Sequence, residues 1–310
     1  MKMFVTGGAG FIGSHLVDRL LSDGHSVTVF DDLSSGRLEF IEHNLERKDF
    51  SFVEADLVDR QRLRKEISGH DVVFHIAANP DVRAGPDHPE IAEKDMLITY
   101  GLLDEMRRAD ISKIVFSSSS VIYGEMDPHP ISEDEGPLLP ISVYGAAKLA
   151  SEGLISSFAH TFDLQAWMYR FANVVGSRGT HGVIVDFVNK LRKDPSVLEI
   201  LGDGRQKKPY LYVSECVDGI VFGFENASDS LNYFNLGTDG VTSVTRIGQL
   251  VVDEMGLSDA RFEYTGGRRG WKGDVPQFQF DIGKMKRLGW EPKFSSDEAV
   301  RMAIQDVLSM

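Results

Sequence analysis

The stretch "KMFVTGGAGFIGSHL" at residues 2–16 constrains this chain more than any other. A β-branched run enters a glycine-dense turn, and the turn opens directly into a helical pattern. The glycines read as Gly7-x-x-Gly10-x-x-Gly13, or as Gly8-x-Gly10-x-x-Gly13. Glycine lets a chain turn tightly, lets backbone N–H groups approach a pyrophosphate, and lets a helix pack closely on a strand. Taken alone, the turn also suits an ordinary strand-to-helix connection. Its setting is more specific, because Asp31 ends the next β-branched run, eighteen residues past Gly13. A carboxylate there accepts hydrogen bonds from adenosine ribose hydroxyls and repels a 2′-phosphate, which points to NAD rather than NADP. Arg37, close by, weighs the other way. A second acid, Asp56 in "VEADL", either reaches towards the adenine or caps the following helix.

Further short apolar runs alternate with helical patterns through the first half of the chain. "KMFVT", "SVTVF" (26–30), "FSFVEA" (50–55), "DVVFHIA" (71–77), "KIVFSS" (113–118) and "LQAWMYRF" (164–171) read as strands, and 12–22 as the first helix. Nearly continuous apolar strands separated by helices predict an α/β fold, a doubly wound parallel (Rossmann) sheet covered on both faces. After about residue 172 the pattern is less regular and rich in glycine turns. The reading is therefore a NAD-binding domain at 1–172 and a smaller C-terminal substrate-binding domain at 173–310. A segment near 210–238 is expected to return to the first domain. Ser295 and Glu298 have the spacing of a helix capping box.

Composition narrows the function classes. Apolar residues make up 42% of the 310 residues and charged ones 26%, as in ordinary globular proteins. The net charge of −14 repels nucleic acid and anionic membranes, so a phosphate-bearing ligand needs local positive groups. The single cysteine, Cys216, can form neither an internal disulfide nor a metal cluster, which suits a reducing, cytoplasmic setting. The histidines lack metal-ligand spacing, and His75 reads as a core residue. The glycines near the start interrupt any signal-peptide core, and no run is long enough to span a membrane.

"YGAAKLASE" (144–152) carries the candidate chemistry. Tyr144 and Lys148 are one helical turn apart and share a face. A cation beside a phenol lowers its pKa, so the pair can make an acid–base catalyst for a hydroxyl, with Lys148 also holding a ribose. Ser119, in "FSSSSVIYG", can bond the same hydroxyl, although a strand-end serine also commonly bonds backbone.

These stretches together resemble the extended short-chain dehydrogenase/reductase superfamily, and within it the UDP-glucose 4-epimerases. The resemblance rests on "TGGAGFIGSH", "DDLSSG", "HIAANPDVR", "FSSSSVIYG", "YGAAKLASE", "RFANVVGSRG", "GDGRQ", "YVSECVDGI", "GDVP" and "LGWEPK", in order along nearly the whole chain. It implies that Gly7, Gly10, Phe11, Ile12 and Gly13 touch the cofactor pyrophosphate, and that Asp31, Asp56 and Leu57 meet the adenosine end. Ala77 and Ala78 would line the nicotinamide path, with Asn79 towards the substrate. Tyr144, Lys148 and Ser119 would be catalytic, the first two also contacting NAD. Asn173 and the helix opening at Val183 and Ile184 would meet a UDP-sugar.

Two departures bear on the substrate phosphates. Lys208 stands where the family usually has an arginine, a change that loses bidentate geometry. "RRGWKGD" moves Arg268 and Arg269 away from Gly273–Asp274, leaving Arg83, Arg178 and Arg269 as alternatives. The implied reaction interconverts UDP-glucose and UDP-galactose through a 4-keto sugar with NAD kept bound, in a homodimer formed through helices near 91–108 and 144–160. N-acetylated or glucuronate substrates remain open. Rival readings are a dehydratase, a decarboxylase and an NAD-sensing regulator. Ser120 and Val121 replace the acids that the resemblance expects in the first two, and the Tyr144–Lys148 pair argues against the third.

Overall fold

The computed structural model describes residues 1–79, 85, 87–126 and 129–309. The chain divides into two compact units. The first comprises Met1–Ile122, Ser142–Arg170 and Ile220–Phe234. The returning segment is thus 220–234, narrower than expected. The second unit comprises Tyr123–Ile141, Phe171–Gly219 and Asn235–Met310. Residues 123–141, assigned to the first domain from the sequence, cluster instead with the second unit. Their partners explain this: Tyr123 donates to Asn235 (2.7 Å), and Glu133 accepts from the Asn235 N–H (2.8 Å).

The first unit is built on a sheet of β1 (Lys2–Thr6), β2 (Ser26–Asp31), β3 (Phe50–Glu54), β4 (Val72–His75), β5 (Lys113–Ser119), β6 (Gln165–Phe171) and β7 (Leu231–Leu236), the last residue of β6 and the last two of β7 running past the unit's bounds. Their order in the sheet is β7-β6-β5-β4-β1-β2-β3. β1 pairs in parallel with β2 on one side and β4 on the other, Thr6 lying opposite Phe30 and His75. The winding reverses between β1 and β4, and ligands of such sheets bind beyond the strand ends at that point. Helices α1 (Phe11–Ser22), α2 (Arg60–Ile67), α3 (Glu90–Arg108) and α4 (Val143–Phe162) connect the strands. One core cluster gathers Phe4, Phe30, Val73, Ile114 and Phe116 from the sheet, Ile98, Leu102 and Met106 from α3, and Ile155 and Ala159 from α4.

The second unit packs the helices Val183–Lys193, Val244–Glu254 and Ser296–Ser309 around Phe187, Leu191, Leu250 and Ile304. Strand Val197–Ile200 pairs in parallel with Arg261–Tyr264. The capping box forms: Ser295 N–H donates to Glu298 Oε2 (2.8 Å), and Glu298 N–H reaches Ser295 Oγ (3.4 Å). No described helix is long and apolar enough to cross a membrane.

Candidate active site

The glycine turn lies between β1 and α1, at the reversal of the winding. Gly7 has φ +70°, and a Cβ there would stand 2.6 Å from the Ala77 nitrogen. A Cβ on Gly13 would fall 2.0 Å from the Gly7 carbonyl oxygen. The bare backbone therefore brings β1, the chain after β4 and α1 into close approach. α1 starts without a side-chain cap at Gly10, which leaves first-turn N–H groups available to an anion. Phe11 and Ile12, the first two residues of α1, keep partly exposed side chains. This cradle, which a side chain would fill, fits a dinucleotide pyrophosphate.

Asp31 closes the far side of the turn. Its Oδ2 accepts the Ala9 N–H and its Oδ1 the Leu33 N–H, each at 2.9 Å. Burial pushes its pKa up, and these two N–H groups oppose the rise. Asp56 accepts the Val58 N–H (3.1 Å) and pairs with Lys94 of α3 (2.9 Å). The cap of α2 is Asp59, which accepts from Arg62 N–H, so the capping alternative for Asp56 falls away. Leu57 is buried in the core of the first unit, so only its backbone can meet a ligand. Ala77 N–H reaches Thr6 Oγ1 at 3.4 Å; Ala78 and Asn79 follow it, partly exposed.

Ser142 caps α4 by accepting the Gly145 N–H (3.1 Å), which sets Tyr144 in the first turn and Lys148 one turn on. Tyr144 hydrogen-bonds Ser119 at the end of β5. The serine run is sorted by partner: Ser117 Oγ donates to the His75 carbonyl (3.3 Å), while Ser119 serves the phenol and lies a long 3.5 Å from the Val121 N–H. Lys148 is 3% exposed; its ammonium donates to the Ser117 carbonyl at 2.7 Å and stands 5.7 Å from the Tyr144 ring centre. Burial lowers its pKa to about 8, opposed by Asp95 and Glu152.

The expectation that Lys148 depresses the Tyr144 pKa is reversed in the protein alone. Burial raises it and the Asp95 carboxylate raises it further, with the Ser119 hydrogen bond opposing. Desolvation dominates, and the Lys148 ammonium, its own pKa lowered by burial to about 8, is not among the groups that offset it. Asp95 itself escaped the sequence reading. Its signal was an acid in register with Thr99, Leu102 and Met106, on the buried face of α3. His75 is the expected core residue, bonded to Thr6 and Thr99 at 2.8 and 3.2 Å, and burial drives its pKa down to about 3.

In the second unit, Asn173 lies opposite Tyr210 in a parallel pair and hydrogen-bonds its phenol. Lys208 is not a free phosphate ligand: its ammonium pairs with the buried Asp274 at 2.6 Å and lies over the Trp271 ring. Arg269 donates to the Asp274 carbonyl (3.1 Å) and pairs with Glu125 (2.5 Å). Val183 and Ile184 open a helix whose Gly182 cap provides no side chain, and the Ile184 side chain is buried in the core. Arg83 lies outside the described residues. Among the described residues, no group of His, Cys, Asp and Glu could hold a metal ion.

A dinucleotide cradle and a Tyr–Ser–Lys cluster on one sheet define a cofactor-dependent enzyme. The chain belongs to the NAD dependent epimerase/dehydratase family, matched over residues 3–237, and its cofactor is NAD. It is 35% identical to the UDP-glucose 4-epimerase of Mycolicibacterium smegmatis, over 98% of both chains. A UDP-galactose 4-epimerase crystal structure superposes with a TM-score of 0.89 at 38% identity, covering 100% of this chain and 99% of that one. The UDP-glucuronic acid 4-epimerase of Bacillus cereus, solved with UDP-glucuronic acid and NAD, superposes at 0.90 and 27% identity, with coverage of 100% and 99%.

Proposed function

We propose that this enzyme epimerises a UDP-hexose at C4, interconverting UDP-glucose and UDP-galactose, with Tyr144 as the acid–base group. The observation that carries the reading is the Tyr144 phenol bonded to Ser119, with a buried Lys148 one turn along the same helix. NAD supplies a hydride acceptor and donor for C4, and in its oxidised form a positive charge that favours the phenolate. Tyr144 takes the proton of the sugar 4-hydroxyl, and Ser119 holds that hydroxyl in line. Lys148, fixed by the Ser117 carbonyl, holds the nicotinamide ribose. The resulting 4-keto sugar turns over, and Tyr144 returns the proton to the oxygen once the opposite face is presented.

In the same reading Gly7, Gly10, Phe11, Ile12 and Gly13 hold the pyrophosphate. Asp31, Asp56 and the backbone of Leu57 hold the adenosine end, and Ala77 and Ala78 flank the nicotinamide path. Asn79, Asn173, Arg269 and the backbone at Val183 and Ile184 hold the nucleotide-sugar, and Lys208 with Asp274 braces that hold. Ser120 and Val121 supply no acid beside the sugar, which disfavours loss of water or carbon dioxide from the keto intermediate. A homodimer through α3 and α4 is part of the proposal. Leu97, Tyr100 and Phe162 are 55%, 47% and 48% exposed there, and Phe158 packs edge-on to Tyr100.

The test is to incubate the purified enzyme separately with UDP-glucose, its N-acetyl form and UDP-glucuronate, and identify the products. Fastest conversion of UDP-glucose to its C4 epimer, at unchanged mass, supports the reading. Preferred conversion of either other sugar reassigns the substrate, and a product lighter by water or carbon dioxide overturns epimerisation.

A further inference from the structure

Asp95 has no part in the proton path above, yet it is built into the same cluster. It is 6% exposed, and its Oδ1 accepts the Asn79 N–H at 3.2 Å. Its Oδ2 is buried with no hydrogen-bond partner among the described residues. One turn on, Thr99 Oγ1 bonds the Asp95 carbonyl (2.9 Å) and Ser151 of α4 (3.1 Å). Ser151 lies three residues past Lys148, so this latch fastens the Asp95 turn of α3 to the Lys148 turn of α4. An acid left half-unpaired in such a place is costly to bury, and its charge acts strongly on its neighbours.

The charged groups around it can be named. From α4 come Lys148 and the Tyr144 phenol, and beyond them Glu152, whose carboxylate is matched by Arg170 at 2.8 Å. β4 brings His75, which burial keeps neutral. On α3 itself Lys94 is turned to Asp56 at 2.9 Å. We propose that Asp95 is a positioning residue for the Tyr144–Lys148 pair: its carboxylate retains Lys148 as an ammonium and opposes loss of the Tyr144 proton. After burial, the Asp95 charge is the next cause raising Tyr144, and it leads the groups opposing burial at Lys148. Asp95 thus guards the site against forming the phenolate before oxidised cofactor is bound. The inference rests on Tyr144 as the base but is testable without turnover.

The signs are the same for both partners. A negative charge raises the pKa of a phenol and of an ammonium, so its removal lowers both. Asp95→Asn keeps the shape and the acceptor for Asn79 while removing the charge. Two readouts apply to the holoenzyme and its variants: kcat against pH, and the ultraviolet absorbance of phenolate against pH. The second is taken as the difference from the same protein carrying Tyr144→Phe, which isolates Tyr144 even if another group proves to be the base. Both limbs of the kcat profile and the Tyr144 titration are expected to move to lower pH by about one unit. Asp95→Glu should keep the original profile. A folded Asp95→Asn protein with lower kcat but unmoved limbs and an unmoved phenolate titration overturns the inference. Asp95→Ser, smaller and also neutral, gives the same two outcomes should Asp95→Asn not fold.

Discussion

Asp31 and Asp95 are both buried carboxylates of the first unit, 8% and 6% exposed, yet their surroundings treat them differently. Each Asp31 oxygen accepts a backbone N–H, and the acid locks the glycine turn to the end of β2. Asp95 has one oxygen so held and one without a partner among the described residues; burial raises its pKa, and Lys148 on another helix opposes the rise. One corner is made of backbone, where geometry alone prepares a cradle. The other is made of side chains from α3, β5 and α4, whose protonation states depend on one another. In the proposed function the backbone corner holds the cofactor and the side-chain corner moves protons.

The largest effect that could break this contrast lies in the second corner. Tyr144→Phe should lower kcat by roughly 10²–10⁴-fold or more while leaving NAD binding and the circular-dichroism spectrum intact. Lys148→Ala should also lose retained NAD, measured by its absorbance in the purified protein. A Tyr144→Phe enzyme with most of its kcat would move the base elsewhere.

In the first corner the effects should be on binding and stability. Gly13→Ala drives a methyl against the Gly7 carbonyl, and overpacking of this kind costs about 1–3 kcal/mol. NAD affinity by calorimetry should collapse with it. Asp31→Ala strands two backbone N–H groups, a loss of about 1–3 kcal/mol, and should relax the preference for NAD over NADP. Equal affinity of the unmodified protein for both cofactors would contradict the role given to Asp31.

The smallest effect is a pH dependence. Lys148 has its pKa lowered by burial from 10.5 to about 8. Between those values the unfolded chain holds the proton more tightly than the folded one, so this group's contribution to stability improves as pH rises through the window. NAD retention should weaken over the same rise, as the ammonium proposed to hold the ribose is lost. Lys148→Met should flatten that stability slope in thermal melts.

Much of the first corner could be read from the sequence. The glycine spacing, the preceding strand and Asp31 are local features whose meaning hardly depends on tertiary contacts. The helix at 12–22 begins one residue earlier, at Phe11, and β6 begins at Gln165. The second corner was legible in its members but not in its electrostatics. The i, i+4 spacing puts Lys148 beside Tyr144, yet it says nothing of Asp95 on another helix or of the Ser117 carbonyl that takes the ammonium. The second unit was harder still. Lys208 and Asp274 are sixty-six residues apart, and nothing local marks them as an ion pair. Asp56 and Asp59 compete for the same cap in sequence, and only the Arg62 N–H decides between them.

Epimerisation through a 4-keto sugar is tested most directly by running the reaction in heavy water and examining the products by NMR and mass spectrometry. In the proposed mechanism Tyr144 exchanges protons only on oxygen, while the hydrogen at C4 leaves and returns as hydride. The expected products are C4 epimers of unchanged mass with no deuterium bound to carbon. Deuterium on a ring carbon, or a product lighter by water or carbon dioxide, would contradict it.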